Sequence, residues 1–308
     1  MKPTRDRIRR PRNLSRGDTI GIAAPAGPFD RQKFDKGLDV LREMGFRIKV
    51  PDGLDRREGY LAGDDTHRAA ILNRLFADKD VNAIMCARGG FGSIHLLDLL
   101  DLELIRGNPK MVVGFSDITV LLAFLCRSGR MAVFHGPMVT TLARADAETK
   151  KALLKAIDPR EKLLVVPEKP LTLNPGVASG KVMGGNLASL CHLVGTPHAP
   201  RLGGCILVLE DVQEAPYKID RMLIQMKLAG IFRGLAGLAL GSFTDCGPAE
   251  DIYPVFTKVF SDMNIPMLAG FDFGHGKRNL TLPLGVTATL DADGRFLQYH
   301  RPATIQGR

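Results

Sequence analysis

Apolar and polar positions alternate in blocks along the first half of the chain. Short, nearly continuous apolar runs are typical of strands buried on both faces, and each is followed by a segment with apolar residues at helical spacing. The apolar runs cover residues 19–24, 46–50, 81–86, 111–116 and 131–134. Strands that alternate with helices predict βαβ units and a parallel sheet, whose ligands bind at the carboxyl ends of the strands.

Capping residues mark where the helices of this half begin and end. Asp30 and the run Asp64-Asp65-Thr66 precede apolar-periodic segments, as helix caps do, and Gly45 is placed to end the first helix. A Leu-rich helix is predicted after Gly92, and another helix from about residue 117 to residue 126.

The pattern changes between residues 143 and 174, where a charged helix over 147–157 is followed by Pro167, Pro170 and Pro175. This change predicts an amino-terminal domain over 1–157, a linker over 158–175 and a carboxy-terminal domain over 176–308. Beyond it we predict strands at 205–209, 235–241 and 267–271, and helices at 217–228 and about 253–263. Residues 280–299 predict an antiparallel hairpin that turns at 291–294.

Composition indicates a globular protein. The 308 residues are 45% hydrophobic and 24% charged, which argues against disorder over most of the length. Much of the net charge of +9 comes from the first sixteen residues. We interpret this basic segment as a solvated terminus; it has no interleaved aromatic residues, so no nucleic-acid partner is predicted.

The cysteines and glycines exclude several kinds of site. The five cysteines are scattered and form no C-x-x-C pair, which favours free thiols in a reducing compartment. The sequence has neither a secretory apolar region nor a run of the ~20 apolar residues that a membrane span needs, so we predict a cytoplasmic protein. The loop Gly89–Gly92 does not match a nucleotide-binding glycine motif, and no metal-ligand spacing occurs. We therefore predict no cofactor and no metal.

A serine occupies the most informative turn. Gly114-Phe115-Ser116 ends an apolar run and opens an apolar-periodic segment, a pattern that exposes a serine hydroxyl at the start of a helix. Helix amides at that point can hold a developing negative charge. The amide of Asp117 and an amide at Gly89 or Gly90 are candidates for an oxyanion hole.

A nucleophilic serine needs a base and an orienting acid. Of the seven histidines, His135 and His275 each follow an apolar run among glycines, and His275 is favoured because Gly274 and Gly276 permit tight turns around it. The orienting acid is expected at a strand end. Glu210 and Asp211 both qualify, and these considerations leave the choice between them open.

Six motifs occur in an order that resembles the LD-carboxypeptidase family of serine peptidases, over about residues 18–302. They are Ala87-Arg88-Gly89-Gly90-Phe91-Gly92, Gly114-Phe115-Ser116-Asp117, His135-Gly136-Pro137-Met138, Gly184-Gly185-Asn186-Leu187, Leu209-Glu210-Asp211 with Pro216-Tyr217, and Gly270-Phe271-Asp272-Phe273-Gly274-His275. The resemblance implies a Ser116–Glu210–His275 triad. It also implies a flavodoxin-like amino-terminal domain and a smaller β-rich carboxy-terminal domain, with the active site between them.

The same resemblance implies the reaction and its setting. Family members cleave the bond between an L-centre and a terminal D-amino acid, typically the last D-alanine of a murein tetrapeptide. They act in the cytoplasmic recycling of cell-wall fragments and are commonly homodimers. Two positions depart from related patterns: Ile118 stands where the general hydrolase elbow has glycine, and Met183 where many relatives have an aromatic residue.

Three arginines are candidates for gripping the terminal carboxylate of the peptide: Arg88, Arg221 and Arg278. Two other functions remain open. One is hydrolysis of a peptide–nucleotide antibiotic, as in self-immunity proteins of the same family, for which the 6% aromatic content gives little support. The other is a non-catalytic ligand-binding protein, against which the complete set of triad residues argues.

Overall fold

The computed structural model describes residues 8–307, which form two compact units. Within the described range, the first unit contains residues 8–160, 281–283 and 303–307, and the second contains residues 161–280 and 284–302. Lys2, Arg5 and Arg7 of the basic segment lie outside the described residues. The boundaries predicted at residues 157 and 175 for independent domains stay a prediction.

The first unit is built from alternating strands and helices, followed by two further helices. Its strands are β1 (Thr19–Ala23), β2 (Arg47–Lys49), β3 (Ala83–Cys86), β4 (Met111–Gly114) and β5 (Val133–His135). Its helices are α1 (Arg31–Glu43), α2 (Asp65–Ala77), a 3₁₀ helix (Ser93–Leu99), α3 (Leu102–Gly107), α4 (Ile118–Arg127), α5 (Val139–Leu142) and α6 (Ala147–Ile157).

The second unit is richer in strands. They are β6 (Leu164–Val165), β7 (Leu171–Asn174), β8 (Val177–Asn186), β9 (Cys205–Val212), β10 (Gly237–Thr244), β11 (Met267–Ala269), β13 (Thr287–Asp291) and β14 (Phe296–Tyr299). The strand β12 (Leu282–Leu284) lies between β11 and β13 in the sequence but pairs with the sheet of the first unit. The helices are α7 (Leu187–Cys191), α8 (Pro216–Leu228) and α9 (Ala249–Val259).

The first sheet has the strand order β12-β5-β4-β3-β1-β2. The ladders that join β1 to β2 and β3, and β4 to β3 and β5, are all parallel. The order β2-β1-β3-β4-β5 is that of flavodoxin-like folds, in which ligands bind beyond the carboxyl ends of the strands. The predicted flavodoxin-like, parallel-sheet fold of the amino-terminal part is therefore confirmed.

Local capping explains where these helices begin. The Asp30 side chain accepts a hydrogen bond from the amide of Lys33 at 2.8 Å, and Asp64 accepts one from the amide of His67 at 2.7 Å. The Leu-rich helix predicted after Gly92 is present as the 3₁₀ helix Ser93–Leu99. A second helix, α3, follows it because the Asp101 side chain accepts from the amides of Glu103 and Leu104 and starts a new helix.

The second sheet has the order β6-β14-β13-β8-β9-β10-β11-β7. Its middle ladders, β8–β9, β9–β10 and β10–β11, are parallel, and the flanking ladders are antiparallel. A smaller β-rich carboxy-terminal part was predicted and is confirmed. The hairpin is present as β13 and β14, but the prediction that it starts at residue 280 was wrong, because Leu282–Leu284 forms a strand of the first sheet.

Within residues 8–307, no helix is both long enough and apolar enough to cross a bilayer.

Candidate active site

Ser116 sits in a strained turn between β4 and α4. Its φ is +62°, in the left-handed region that costs an L-residue roughly 1–2 kcal/mol. The turn is closed by the amide of Thr119, which donates to the Ser116 carbonyl at 2.9 Å. Ile118 fits this turn because position 114 is glycine: a Cβ there would lie 2.6 Å from Ile118 Cγ2. A strained, half-buried serine at the carboxyl end of a parallel strand has the geometry of a nucleophile elbow.

The glycine-rich loop after β3 approaches this serine closely. A Cβ at Gly89 would lie 2.9 Å from Ser116 Cβ, 3.0 Å from its Oγ and 3.6 Å from the Asp117 amide nitrogen. Only glycine lets the backbone come so near. Gly90 has a φ of +117° and faces Gly27, whose amide donates to the Gly89 carbonyl at 3.1 Å. Two backbone segments, at Gly89–Gly90 and at Asp117, therefore border the serine.

Asp117 joins the loop to the elbow. Its carboxylate accepts from the Ser93 amide at 2.9 Å, and its carbonyl accepts from the Ser93 hydroxyl at 2.7 Å. Asp117 is buried and does not cap its own helix. The Asp117 amide itself lies at the start of α4, where a helix dipole favours negative charge.

A histidine and a glutamate pair in the second unit. Glu210, on β9, is fully buried, and its Oε2 accepts from His275 Nδ1 at 2.7 Å and from the His275 amide at 3.2 Å. A neutral imidazole that donates from Nδ1 carries its acceptor lone pair on Nε2, as a general base requires. Glu210 Oε1 is buried with no hydrogen-bond partner among the described residues. A carboxylate placed at such a cost points to function.

The loop that carries His275 is shaped around that carboxylate. Gly274 has a φ of +101°, and a Cβ there would overlap Glu210, at 2.6 Å from its Cγ. The Gly274 amide donates to Asn279 Oδ1, and the Gly276 amide donates to Ser242 Oγ, each at 2.9 Å. These bonds fix both sides of the histidine.

Asp211, the neighbouring carboxylate, has a different set of partners. It accepts from Asn186 Nδ2 and the Val212 amide at 2.8 Å, and from the Ala188 amide at 2.9 Å. Burial, with a contribution from the adjacent Glu210, raises the pKa of Asp211 to about 6. Asp211 therefore holds the start of α7, while Glu210 contacts the histidine.

The three candidate arginines occupy separate surroundings. Arg88 is exposed and donates to the Pro28 carbonyl at 2.7 Å. Arg221 lies on α8 with its guanidinium 5.4 Å from the Tyr217 ring centre. Arg278 donates to Glu168 Oε2 at 2.8 Å. Arg88 directly precedes Gly89, and Arg278 shares the loop of His275.

Two other residues singled out by sequence are buried. His135, at the end of β5, has no exposed surface, and its ring lies 5.8 Å from that of Phe115. Met183 is buried within β8. In the described part of the chain, no group of three or more His, Cys, Asp or Glu side chains is arranged to hold a metal ion.

Sequence reasoning missed Arg68, whose side chain lies beneath the glycine-rich loop. It is 1% exposed, although arginine is seldom buried. A usable signal was present, because position 68 is four residues before Leu72 and so shares the apolar face of α2.

Comparison with known proteins identifies similar chains over most of this length. A sequence model of the LD-carboxypeptidase N-terminal domain matches residues 20–136, and one of the LD-carboxypeptidase C-terminal domain matches residues 179–290. The probable murein peptide carboxypeptidase of Bacillus subtilis is 36% identical, over 92% of this chain and 91% of its own.

Two further relatives differ in their named roles. The microcin C7 self-immunity protein of Escherichia coli is 31% identical, over 92% of this chain and 93% of its own. The crystal structure of muramoyltetrapeptide carboxypeptidase from Oxalobacter formigenes superposes with a TM-score of 0.81 at 30% identity, covering 91% of this chain and 97% of that one.

Proposed function

Because the chain belongs to the LD-carboxypeptidase family, and is therefore a peptidase, we propose that it is a serine carboxypeptidase acting on murein tetrapeptides. It removes the terminal D-alanine by cutting the bond that follows the L-centre of diaminopimelate or lysine. The observation that carries this proposal is the buried Glu210 bound to His275 Nδ1, which prepares a base for a serine nucleophile. Relatives named as murein peptide carboxypeptidases support the substrate.

The proposed reaction begins at Ser116. Its Oγ attacks the carbonyl carbon before the terminal residue, and His275 Nε2 takes the hydroxyl proton. His275 then delivers that proton to the leaving amine of D-alanine, which leaves an ester on Ser116. Water, deprotonated by His275, hydrolyses the ester and restores the serine. Glu210 keeps the imidazole in the required tautomer and stabilises its charged form.

The backbone around Ser116 supplies the oxyanion hole in this mechanism. The amides of Asp117 and of Gly89 or Gly90 donate to the oxygen that becomes negative. Such a donor is typically worth about 3 kcal/mol of transition-state stabilisation. The close approach of Gly89 to Ser116 supports this role, because a side chain at position 89 would occupy the space beside the nucleophile.

The free carboxylate of the substrate needs a cation. Arg88 and Arg278 are the better candidates, because Arg88 directly precedes Gly89 and Arg278 shares the loop of His275. Arg221 stacks on an exposed tyrosine on the surface of α8 and is the weaker candidate.

A second candidate substrate, a peptide–nucleotide conjugate, is favoured by one observation. Tyr60 and Phe91 are 67% and 42% exposed, with ring centres 5.9 Å apart, and Phe91 belongs to the glycine-rich loop. A planar nucleobase can stack on either of these exposed rings, whose planes are tilted by 60° to each other. The similarity to the microcin C7 self-immunity protein is consistent with this alternative.

We further propose a cytoplasmic homodimer, as the family resemblance implies. All five cysteines are buried thiols outside any disulfide, which supports a reducing compartment. Light scattering during gel filtration measures the oligomeric state: a mass near twice 33.6 kDa is expected, and a mass near 33.6 kDa would contradict the dimer.

Mass spectrometry of L-Ala-γ-D-Glu-meso-diaminopimelyl-D-Ala incubated with the protein tests the main proposal. The wild type and Ser261→Ala, which removes an exposed serine, should each release one D-alanine, and Ser116→Ala should release none. A fluorophosphonate should add to Ser116 in the wild type. Release of nothing by the wild type would refute the murein substrate, and an aminoacyl or peptidyl nucleotide would then be tested under the same conditions.

A further inference from the structure

Arg68 connects three backbone segments near the nucleophile. Its guanidinium donates from Nε to the Gly63 carbonyl at 3.0 Å, and from Nη1 to the carbonyls of Pro25 at 2.5 Å and Gly92 at 2.9 Å. Nη2 binds the carboxylate of Asp65, one turn earlier on α2. A buried cation is retained only when it is paired and hydrogen-bonded, and these four acceptors satisfy that condition.

The contact with Gly92 requires glycine at that position. Gly92 has a φ of +114°, and a Cβ there would lie 2.4 Å from Leu61 Cδ2 and 3.1 Å from Arg68 Nη1. Glycine-rich loops are conformationally permissive, so this loop needs an external restraint if its amides are to stay in place. The guanidinium provides a restraint at the end of the loop, three residues after Gly89.

The restraint reaches the nucleophile through a short chain of contacts. Gly92 precedes Ser93, whose amide and hydroxyl both bind Asp117, the residue after Ser116. The carbonyl of Pro25 lies in the β1–α1 loop, and the Gly27 amide of that loop donates to Gly89 at 3.1 Å. Arg68 therefore holds both neighbours of the segment that borders Ser116.

We propose that Arg68 is a positioning residue for catalysis: it fixes the Gly89–Gly92 loop so that its amides meet the oxyanion formed at Ser116. The proposal rests on the function proposed above. Arg68 itself touches no reacting atom. Its effect should therefore fall on the rate of the chemical step rather than on substrate affinity, because the oxyanion exists only along the reaction.

Arg68→Met and Arg68→Lys test this role, with Lys110→Met as the matched control. Lys110 is also a buried cation in the first unit, and its Nζ donates to the carbonyls of Leu75 and Asp78 at the other end of α2. Loss of one oxyanion donor costs roughly 10²–10³ in kcat, which sets the upper end of the expected effect. We expect Arg68→Met to lower kcat by about 10- to 1000-fold with KM within about threefold.

The conservative variant and the control separate positioning from stability. Arg68→Lys keeps the charge but cannot reproduce the planar fork, so its kcat should lie between those of the wild type and Arg68→Met. Lys110→Met should lose stability while keeping the wild-type kcat. Equal kcat values for the folded Arg68→Met and Lys110→Met enzymes would overturn the proposal.

Amide hydrogen exchange over residues 88–97 gives a readout that needs no substrate. Both Arg68 variants should exchange faster in this segment than the wild type and Lys110→Met, measured under conditions in which each is folded. If Arg68→Met does not fold, Arg68→Lys carries both measurements. Unchanged exchange, or faster exchange with unchanged kcat, would overturn the proposal.

A failure of the proposed function would look different. If the wild type releases no D-alanine, the rate of fluorophosphonate addition to Ser116 replaces kcat. Slower addition in the Arg68 variants, together with faster exchange of the loop, would support the positioning role for another substrate. Unchanged addition would overturn it.

Discussion

Replacing Gly274 with alanine should disable the Glu210–His275 pair without removing either residue. The added Cβ would overlap the Glu210 carboxylate and lie 2.6 Å from its Cγ and 2.7 Å from its Cβ. Real Cβ atoms essentially never approach other atoms within 3.0 Å, so the side chain or the loop must move. Because Glu210 is fully buried beside this loop, we expect it to move away from the imidazole.

The structure gives two contributions to the cost. The φ of +101° at position 274 is unfavourable for alanine by about 1–2 kcal/mol. Displacing Glu210 weakens a charge-assisted hydrogen bond of 2.7 Å, which is typically worth about 1.5–3 kcal/mol. Together they predict a loss of roughly 2.5–5 kcal/mol in the free energy of unfolding.

The catalytic cost should be larger than the structural one. A serine peptidase whose histidine is held in the wrong tautomer loses about 10⁴ in kcat, and a displacement of about 1 Å costs about 10². We therefore expect Gly274→Ala to lower kcat for the tetrapeptide by about 10²- to 10⁴-fold. Steady-state kinetics of D-alanine release and urea unfolding measure the two effects on the same preparation.

Gly195→Ala is the matched control. Gly195 also belongs to the second unit and has a φ of +86°, but a Cβ there would meet nothing within 4 Å. It should lose only the conformational contribution of about 1–2 kcal/mol and keep the wild-type kcat. If folded Gly274→Ala keeps a kcat within about threefold of Gly195→Ala, Glu210 does not orient His275 as argued.

Three further predictions concern the first unit and the substrate carboxylate. Burial lowers the pKa of Lys110 to about 8, so between pH 8 and about 10.5 the unfolded state binds more protons than the folded state. As pH rises through this range, the free energy of unfolding of the wild type should therefore increase by up to ~3 kcal/mol relative to that of Lys110→Met. Urea unfolding measures this difference, and a difference that stays constant with pH would contradict the prediction. Gly89→Ala should lower kcat by about 10²-fold and also lower the free energy of unfolding, because its Cβ would force Ser116 or the loop to shift. Gly107→Ala, in open space, should match the wild type in steady-state assays, and equal rates for the two variants would contradict the crowding at Ser116. The wild type should show a higher kcat/KM for a peptide ending in D-alanine than for one ending in D-alaninamide. Alanine at Arg88 or Arg278, but not at Arg221, should abolish this preference. If all three variants keep the preference, none of these arginines binds the terminal carboxylate.

The parts of the fold that local patterns specify were predictable. Buried parallel strands produce continuous apolar runs, and Asp30 and Asp64 cap their helices with their own side chains, so both signals lie within a few residues of the element they define. The serine turn was predictable for the same reason. A glycine, a strained serine and a helix start follow one another along the chain.

Elements that depend on distant partners were not predictable. The ten-residue strand β8 was missed because it contains Gly180, Gly184 and Gly185 and few apolar residues. Those glycines are required by neighbours remote in sequence: a Cβ at Gly184 would overlap the Val208 carbonyl, and one at Gly180 would overlap that of Gly204. The pairing of β12 in the first sheet, and the burial of Arg68 among carbonyls of three loops, likewise depend on contacts that no local pattern records.

The choice between Glu210 and Asp211 shows what geometry adds, and it yields a prediction. Both carboxylates end the same apolar run, so pattern alone left the choice open. In the fold, Glu210 accepts from His275, whereas Asp211 accepts two hydrogen bonds from residues at the start of α7 and one from the Val212 amide. Glu210→Gln should lower kcat by about 10⁴-fold, because an amide no longer selects the Nδ1–H tautomer, and should leave the fold intact. Asp211→Asn should instead lose about 1–3 kcal/mol of stability, since the amide cannot accept at every site that the carboxylate fills.

The pH dependence of stability separates the two carboxylates independently of activity. The folded-state pKa of Asp211, at about 6, is above its unfolded value, so protonation favours the folded state and this carboxyl adds stability as pH falls from about 6 to about 4. Asp211→Asn lacks that gain, and its deficit relative to the wild type should therefore grow over this range in urea unfolding. If Asp211→Asn lost kcat as Glu210→Gln does, while its stability deficit stayed constant with pH, the assignment of the two carboxylates would be reversed.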